Sequence, residues 1–317
     1  MSFRISNSSS NGFDKIILSD DTGTSVEIIP ACGAILHAFN INHNNEKRNI
    51  IEHYESLEDF KSNVASKGFR SCKLSPFACR IRNGEYSFGQ TNHKIQKYYD
   101  GTHALHGLLY DAVFVIMDQN EDAEKATVTM RHSYEATDPG YPFFYDCIVT
   151  YELRKNNALY IETTIINKTD GLIPVQDGWH PYFNLGGRID AWQLEFQAKT
   201  KLESTPDLIP TGKALHYEMF NSLRSIEDTC FDDCFLLNFA ECQPLCVLRN
   251  PLEKIQLEIY PSASYPYLQL YTPPDRKSIA LENLSAAPDA FNNDKGLITL
   301  AAGETASFKT TYIVSTY

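Results

Sequence analysis

Residues 158–168 of the chain read A-L-Y-I-E-T-T-I-I-N-K, and residues 174–188 read P-V-Q-D-G-W-H-P-Y-F-N-L-G-G-R. The first stretch alternates between apolar and polar side chains, which is the pattern of a half-buried β-strand. In the second stretch, proline and glycine fix the backbone around His180, and three aromatic side chains can shield its ring from water, those of Trp179, Tyr182 and Phe183. A histidine in this setting can exchange protons near neutral pH. The alternative is a structural histidine at a strand end, hydrogen-bonded to a carbonyl group.

Short segments of alternating polarity recur along the whole chain, with turn residues between them. We predict strands within residues 13–53 and at 86–88, 113–117, 126–134, 145–153, 158–167, 192–198, 235–239, 245–248, 255–260, 267–272, 278–282, 297–301 and 307–314. No helices alternate with these segments, which is typical of antiparallel sandwiches and not of βαβ units. Residues 55–64 have Leu57, Phe60 and Val64 at helical spacing and predict one short helix.

The chain contains no low-complexity linker, no repeat of fixed period and no break in composition. We therefore predict an all-β protein, a large antiparallel β-sandwich with a few short helices, that forms a single domain over residues 1–317. Hydrophobic residues make up 43% of the chain, which is enough for a sizeable core and excludes intrinsic disorder.

Composition also bears on partners and location. The net charge of -12 makes nucleic acid and anionic membrane surfaces poor partners. The 18 Tyr and 18 Phe residues suit strands and also the stacking of sugar rings. We find no apolar signal core at the N-terminus and no apolar run of ~18 residues. We therefore expect a cytoplasmic protein whose eight cysteines are free thiols.

Two stretches in the first half carry residues suited to proton transfer or ligand binding. Arg80 lies in an apolar run, where an arginine needs either a partner, a ligand or a position facing solvent, and Arg82 follows at strand spacing on the same face. His103 and His106 could suggest a metal site. A strand would place them on opposite faces and a helix on similar faces, but no third ligand stands at a metal-like spacing. Because His106 precedes a glycine in a loop, it is better explained as a hydrogen-bond donor or acid in a pocket.

Two stretches in the second half add carboxylates and an amide. Asp232 and Asp233 precede an apolar strand and could be either acidic residues of a turn or ligand-binding groups. The spacing of the flanking cysteines differs from that of zinc knuckles. Gln269 lies between apolar strand residues. Glu282 ends an apolar run, where partial desolvation would raise its pKa and make it a better base, unless an arginine holds it at the strand end. Together with the histidines, these side chains could bind a polyhydroxylated ligand and move protons on both sides of it.

The sequence resembles the aldose 1-epimerase (galactose mutarotase) family, which includes hexose-6-phosphate 1-epimerase relatives. The matching stretches follow the family's order over about residues 80–293 and are C-R-I-x-x-G-x-Y-x-F, L-H-G, G-Y-P-x6-V-T-Y-x-L, D-G-W-H-P-Y-F-N-L, F-D-D-C-F, L-Q-L-Y-T and L-E-N-L-S-A-A-P-D-A-F-N. The resemblance implies the galactose mutarotase-like supersandwich with a site in a cleft on its concave face. It implies Glu282 as general base, His180 as general acid and His106 as a second pocket histidine. It further implies that sugar hydroxyls bind to Arg80, Asp232 and Gln269.

The chain departs from the family pattern at four places. Cys79 replaces the usual asparagine, residues 108–110 (L-L-Y) replace a glycine-rich continuation, and Asn283 replaces a proline. The spacing from Gln269 to Glu282 is also shorter than is usual for galactose mutarotases. These departures concern the identity of the sugar more than the chemistry.

The resemblance implies an isomerase that interconverts the α and β anomers of a hexose by acid–base ring opening and closure, without a metal or redox cofactor. A hexose-6-phosphate 1-epimerase is one alternative and would need further cations near Arg80, for which Arg70, Lys73 and Arg82 are available. A non-catalytic carbohydrate-binding or sensing protein is another, although binding alone needs no acid–base pair. In each case the partner is a small sugar, and we expect a monomer or a homodimer.

Overall fold

The computed structural model describes residues 2–317, and its N-terminal part is a five-stranded antiparallel sheet in chain order. Its strands are β1 (Phe3–Ser10), β2 (Phe13–Asp20), β3 (Ser25–Ile29), β4 (Ile35–His43) and β5 (Glu46–Asn49). Strands β2 to β5 lie within the region predicted to form strands. Strand β1 was not predicted, because most of its side chains are polar and exposed.

The next part of the chain contains short elements that build one wall of a cleft. They are α1 (Leu57–Asn63), β6 (Lys73–Leu74), β7 (Arg80–Ile81), a 3₁₀ turn (Arg82–Gly84), β8 (Glu85–Phe88), β9 (Thr91–Lys94), β10 (Tyr99–Asp100) and β11 (His103–Leu105). Helix α1 confirms the helix prediction, and the Ser56 side chain caps it by accepting a hydrogen bond from the Asp59 N–H at 3.1 Å. The 3₁₀ turn ends the strand before Arg82, so the prediction that Arg82 shares a strand face with Arg80 is wrong.

The remaining strands belong mostly to two large sheets. They are β12 (Val115–Glu121), β13 (Lys125–Glu135), β14 (Phe144–Arg154), β15 (Ala158–Asn167), β16 (Ile173–Val175), β17 (Gly178–Trp179), β18 (Tyr182–Phe183), β19 (Gln193–Phe196), β20 (Ala198–Ser204), β21 (Pro210–His216), β22 (Arg224–Ser225), β23 (Asp232–Leu237), β24 (Cys246–Asn250), β25 (Ile255–Pro261), β26 (Tyr267–Tyr271), β27 (Ile279–Leu284), β28 (Ile298–Leu300) and β29 (Thr305–Thr316). A 3₁₀ turn (Ile189–Ala191) and helix α2 (Ala290–Asn293) complete the chain.

All strand pairs have antiparallel register, as predicted for a sandwich. One large sheet has nine strands in the order β12-β13-β14-β15-β29-β25-β24-β19-β22. The other has eight, with β21-β20-β23-β26-β27-β17-β6 in a row and β18 paired to β27. Short sheets join β10, β11 and β7, β8 and β9, and β16 and β28.

The two large sheets pack face to face, and side chains from both meet in the core. Trp179 of β17 contacts Tyr151 of β14, with 5.9 Å between their ring centroids. The Thr310 hydroxyl of β29 donates a hydrogen bond to Asn283 Oδ1 of β27 at 2.9 Å. This packing confirms the predicted all-β sandwich. Within residues 2–317, the helices are too short to cross a membrane.

The pleat of β27 orients the site. Successive side chains of a strand point to opposite faces of its sheet. Asn283 faces the nine-stranded sheet, and so Glu282 points to the opposite face of the eight-stranded sheet. All six residues of β27 are nevertheless buried, because the short elements between β5 and β12 cover this second face.

Candidate active site

A cleft of about 270 Å³ lies on the face of the eight-stranded sheet that is turned away from the core. Strands β23, β26 and β27 supply its floor, and the segment after α1, strands β7 and β10, and the loop after β11 supply its walls. The structure brings all six predicted site residues to this cleft, namely Arg80, His106, His180, Asp232, Gln269 and Glu282.

Three neighbouring strands place the polar residues of the floor. Gln269 is directly opposite Glu282 in the β26–β27 pair, and Asp232 is opposite Tyr271 in the β23–β26 pair. Gln269 Nε2 donates a hydrogen bond to Asp232 Oδ1 at 3.1 Å. Asp233 points to the other side of its strand and pairs with Lys201 at 2.6 Å. The two adjacent aspartates therefore have different surroundings, and Asp232 is the one that faces the cleft.

His180 lies between the two-residue strands β17 and β18. Its backbone is held on both sides, since its N–H donates to the Cys72 carbonyl at 3.2 Å and its carbonyl accepts from the Ser71 N–H at 2.8 Å. Its Nε2 atom is 3.3 Å from Glu282 Oε1. Its ring stacks on that of Tyr182, with centroids 5.0 Å apart.

The three aromatic residues around His180 do not all shield it. Tyr182 lines the cleft, whereas Trp179 packs on Tyr151 and Phe183 packs on Tyr312 in the core. The prediction that all three wall off water is therefore wrong for two of them. Strand alternation turns these two side chains to the core face.

His106 follows β11 in a constrained turn. Its φ is 60°, in the left-handed region, and its N–H donates to the Cys79 carbonyl at 2.9 Å. A Cβ at Gly107 would lie 2.5 Å from the Ser75 carbonyl oxygen, so only glycine fits there. The His106 ring meets that of His180 edge to face, with centroids 4.8 Å apart.

His103 lies away from the cleft and binds Asp207 through Nε2 at 2.8 Å. The two histidines of H-A-L-H-G thus have separate partners. Within residues 2–317, no three side chains of His, Cys, Asp or Glu form a group that could hold a metal ion. The eight cysteines are free thiols, and six of them are buried.

Burial governs the protonation of the groups in the cleft. Desolvation raises the pKa of Glu282 well above its ordinary value, and the nearby Asp232 raises it further against the pull of Arg80. Burial lowers the pKa of His180 to about 3. Burial, aided by His180 and Arg80, also lowers the pKa of His106 well below its ordinary value. Burial therefore favours the neutral form of both rings and of the Glu282 carboxyl in the free cleft.

Three buried polar atoms of the cleft have no hydrogen-bond partner among the described residues, and they are Glu282 Oε2, His106 Nδ1 and His180 Nδ1. Buried polar atoms without partners are rare in folded proteins and call for a ligand or another explanation. The three residues that carry these atoms all line one small cleft, which favours a site that receives a polar molecule.

Sequence reasoning missed several residues of the cleft, most notably Asp100, which pairs with Arg80 at 2.7 Å. Phe69, Tyr98 and Tyr271 also line it. Asp100 carries no local signal, since it ends a two-residue strand that tertiary contacts hold in place. The tyrosines could have been suggested only by the general abundance of aromatic residues.

The three further cations considered for a phosphate have other partners. Lys73 is fully buried and pairs with Asp177 at 2.5 Å. Arg70 pairs with Glu52 at 3.3 Å. Arg82 is half exposed and lies outside the cleft. The prediction that these three are available for a phosphate near Arg80 is therefore wrong.

Known structures define the class of this fold. A galactose mutarotase-like protein from Clostridium acetobutylicum superposes with a TM-score of 0.88 at 17% identity, over 100% of this chain and 99% of that chain. Galactose 1-epimerase from Lactobacillus acidophilus superposes with a TM-score of 0.82 at 21% identity, over 99% and 98% of the two chains. The fold is thus that of the galactose mutarotase-like proteins.

Sequence comparison then gives the family. The sequence model of the family described as Aldose 1-epimerase matches residues 14–313. Maltose epimerase from Levilactobacillus brevis is 24% identical over 268 residues, which are 78% of this chain and 76% of that protein. The chain belongs to the aldose 1-epimerase family, whose members are carbohydrate epimerases of the isomerase class, and this confirms the resemblance drawn from the motifs.

Proposed function

We propose that the protein is an aldose 1-epimerase that interconverts the α and β anomers of a hexose. The observation that carries this proposal is the 3.3 Å contact between His180 Nε2 and Glu282 Oε1 in a cleft that a small molecule can enter. Anomer exchange needs one group that removes a proton from O1 and another that protonates O5. Because both oxygens are bonded to C1, the acid and the base must lie close together, as these two do.

Glu282 acts as the general base and His180 as the general acid. Burial favours the neutral form of both groups. In the mechanism the pair holds one proton, and its movement from Glu282 to His180 on sugar binding gives the ionised base and the protonated acid. Glu282 then removes the O1 proton while His180 protonates O5, the C1–O5 bond breaks, and the open-chain aldehyde forms. Rotation about C1–C2 followed by the reverse proton transfers closes the ring as the other anomer.

The other predicted residues hold the sugar. Arg80 and His106 donate hydrogen bonds to ring and hydroxyl oxygens as charge shifts between O1 and O5. Asp232 and Gln269, which are joined by a hydrogen bond, accept from and donate to hydroxyl groups. The neutral state of His106 keeps a positive charge out of a site that must protonate His180.

A neutral sugar fits the cleft better than a hexose 6-phosphate, because Arg70, Lys73 and Arg82 have other partners. The relative from Levilactobacillus brevis is named maltose epimerase, so the test includes a reducing disaccharide. A sugar-sensing protein without turnover explains the site less well than an enzyme does, because sugar binding needs neither the buried Glu282 carboxyl nor its contact with the His180 imidazole.

The test is polarimetry of freshly dissolved α-glucose, α-galactose and maltose, with proton NMR exchange as a second measure. Wild-type protein should accelerate anomer exchange above the spontaneous rate for at least one of them. Glu282→Gln or His180→Asn should lower kcat by roughly 10²-fold or more, because each removes one of the two proton transfers.

The matched controls are Glu253→Gln and His132→Asn, which change exposed or half-exposed residues outside the cleft and should retain wild-type rates. Circular dichroism shows that each variant is folded. Near-wild-type rates for either cleft variant would refute the assignment, and sugar binding without acceleration by wild-type protein would favour the sensor.

A further inference from the structure

Asp100 is a charged cleft residue to which neither the family motifs nor the proposed mechanism gives a role. Its Oδ2 atom accepts a hydrogen bond from Arg80 Nη2 at 2.7 Å. Its side chain is 55% exposed, whereas that of Arg80 is 18% exposed, so the carboxylate lies at the mouth of the cleft and the guanidinium lies deeper. Strand β10 is paired to β11, and β11 is paired to β7, which carries Arg80. The three-stranded sheet therefore fixes the two charges side by side.

The charge of the cleft is unfavourable for an anion. Among the described residues that line it, Arg80 is the only cation, and the acids are Asp100, Asp232 and Glu282. The ion pair with Asp100 offsets the one positive charge at the point where a ligand enters. An anionic group at the mouth would meet the Asp100 carboxylate at short range, where screening by salt is incomplete.

Asp100 also offers a hydrogen-bond acceptor that distinguishes neutral sugars from anionic ones. Its second oxygen, Oδ1, has no hydrogen bond to the described residues. An ionised carboxylate can only accept hydrogen bonds. A hydroxyl group can donate to it, whereas a phosphate dianion or a carboxylate can only place further acceptors against it.

We propose that Asp100 is a specificity-determining residue that, paired with Arg80, accepts a hydrogen bond from a neutral sugar and excludes sugars that carry a phosphate or carboxylate group. This inference rests on the proposed function, because it concerns the sugar that binds in the same cleft. It goes beyond that function by assigning the choice between neutral and anionic sugars to one carboxylate.

The test measures equilibrium binding by NMR titration of glucose, galactose and their 6-phosphates to wild-type protein and to Asp100→Asn. Wild-type protein should bind the preferred neutral sugar at least about tenfold more tightly than its 6-phosphate. In Asp100→Asn this ratio should fall to about one or below, since the 6-phosphate gains about tenfold while the neutral sugar loses a few-fold in affinity. Raising the salt concentration should also reduce the wild-type ratio, because the repulsion is electrostatic.

Asp111→Asn is the matched control. Asp111 pairs with Lys97, and the two side chains are 45% and 26% exposed, but neither residue lines the cleft. Its substitution should leave the binding ratio at the wild-type value, as should Asp100→Glu, which keeps the charge.

Two results would overturn the inference. One is a wild-type preference for the 6-phosphate, and the other is a ratio that does not change in Asp100→Asn. Binding is measured apart from turnover, so the ratio is obtained whether or not the protein accelerates anomer exchange. A protein that shows the expected ratio without accelerating anomer exchange would therefore refute the proposed function and leave the role of Asp100 intact.

Discussion

Glu282 and His180 have protonation states set by the residues around them. An apolar cluster that includes Cys79, Cys234 and Leu284 lies on the same face of the eight-stranded sheet as Glu282. Desolvation in these surroundings raises the pKa of the carboxyl, and the same effect lowers the pKa of the imidazole. Both shifts favour the neutral form, so in the free cleft the proton shared by these two contacting groups is favoured on Glu282 over His180. This property belongs to neither residue alone.

Asp232 provides a test of how burial affects both stability and activity. Burial raises its pKa to about 6, Asp233 adds to this effect, and Arg80 opposes it. The ordinary value is 3.8, so the stability linked to the protonated form is present below about pH 4 and is lost as the pH rises to about 6. Asp232→Asn keeps an acceptor for Gln269 and should therefore raise Tm at pH 7.5 while giving no gain at pH 4.

The same substitution should alter catalysis. Only ionised Asp232 accepts hydrogen bonds with both oxygens, so wild-type kcat/KM should decrease as the pH is lowered past about 6. In Asp232→Asn this decrease at acid pH should be absent, and kcat/KM at neutral pH should be about tenfold lower than in wild-type protein. Thermal unfolding and a pH–rate profile are the measurements. Asp233→Asn should keep the acid limb of the pH–rate profile but move it to lower pH, because it removes a negative charge that raises the pKa of Asp232. An unchanged limb in Asp232→Asn would assign it to another group.

At the scale of elements, β17 and the turn before it present His180, and a buried ion pair holds this segment. Lys73 and Asp177 are both fully buried and 2.5 Å apart. Lys73 Nζ also donates to the Gly178 carbonyl at 3.0 Å and lies over the Trp179 ring, 4.4 Å from its centroid. The Tyr265 hydroxyl donates to Asp177 Oδ1 at 2.6 Å. These contacts satisfy both charges and attach the segment before His180 to β6 and to the core.

Removing one member of this pair should be far more costly than removing both. Lys73→Met leaves an uncompensated buried carboxylate and should reduce the free energy of unfolding by about 3–5 kcal/mol. The double variant Lys73→Met/Asp177→Asn should recover most of this loss, because no charge remains buried and the amide oxygen still accepts from Tyr265. Urea unfolding of the four proteins in a double-mutant cycle measures the coupling.

The exposed pair of Lys155 and Glu124 serves as the comparison. The side chains are 43% and 72% exposed, and Lys155 Nζ lies 2.6 Å from Glu124 Oε1. Its removal should cost less than about 1 kcal/mol. If the Lys73 and Asp177 substitutions proved additive, the pair would not hold the segment that carries His180.

At the scale of the whole molecule, most of the strands that the sequence predicted have at least one buried face. Strands β13 to β15 and β24 to β29 include long alternating runs, and their predicted bounds differ from the observed ones by only a few residues. Strands β1 and β21 were missed and β12 was placed too early, because their side chains are mostly exposed and show no alternation. Pairing with a neighbour, which local sequence does not encode, determines these strands.

The same limit applies to the candidate site. The sequence pattern placed Gln269 and Glu282 on strands, and the family motifs indicated that His106 and His180 belong to the same site. Asp100 and the partners of Lys73 could not be found, because each depends on contacts between segments far apart in sequence. Cys79 departs from the family's asparagine, and its φ of 53° is one that asparagine adopts more readily than cysteine.

The nine-stranded sheet ends in β12, an edge strand whose seven side chains are all exposed. Val115, Ile116 and Met117 form a consecutive apolar run there. Exposed apolar edges can pair with other chains, and proteins limit this with charges and bulges. Strand β12 has both, since Asp118 and Glu121 follow the run and the register shifts between Ile116 and Asp118. The net charge of -12 also keeps molecules apart at neutral pH.

Near the pI of about 5.2 this repulsion between molecules disappears, and we expect molecules to associate through the exposed edge of β12. Ile116→Lys should lower light scattering during slow heating at that pH while leaving anomer exchange unchanged, because β12 lies outside the cleft. Leu252→Lys is the control, since Leu252 is an isolated apolar residue that is 80% exposed in a turn. It adds the same charge without altering a strand edge, so equal protection by both variants would attribute the effect to net charge and not to β12.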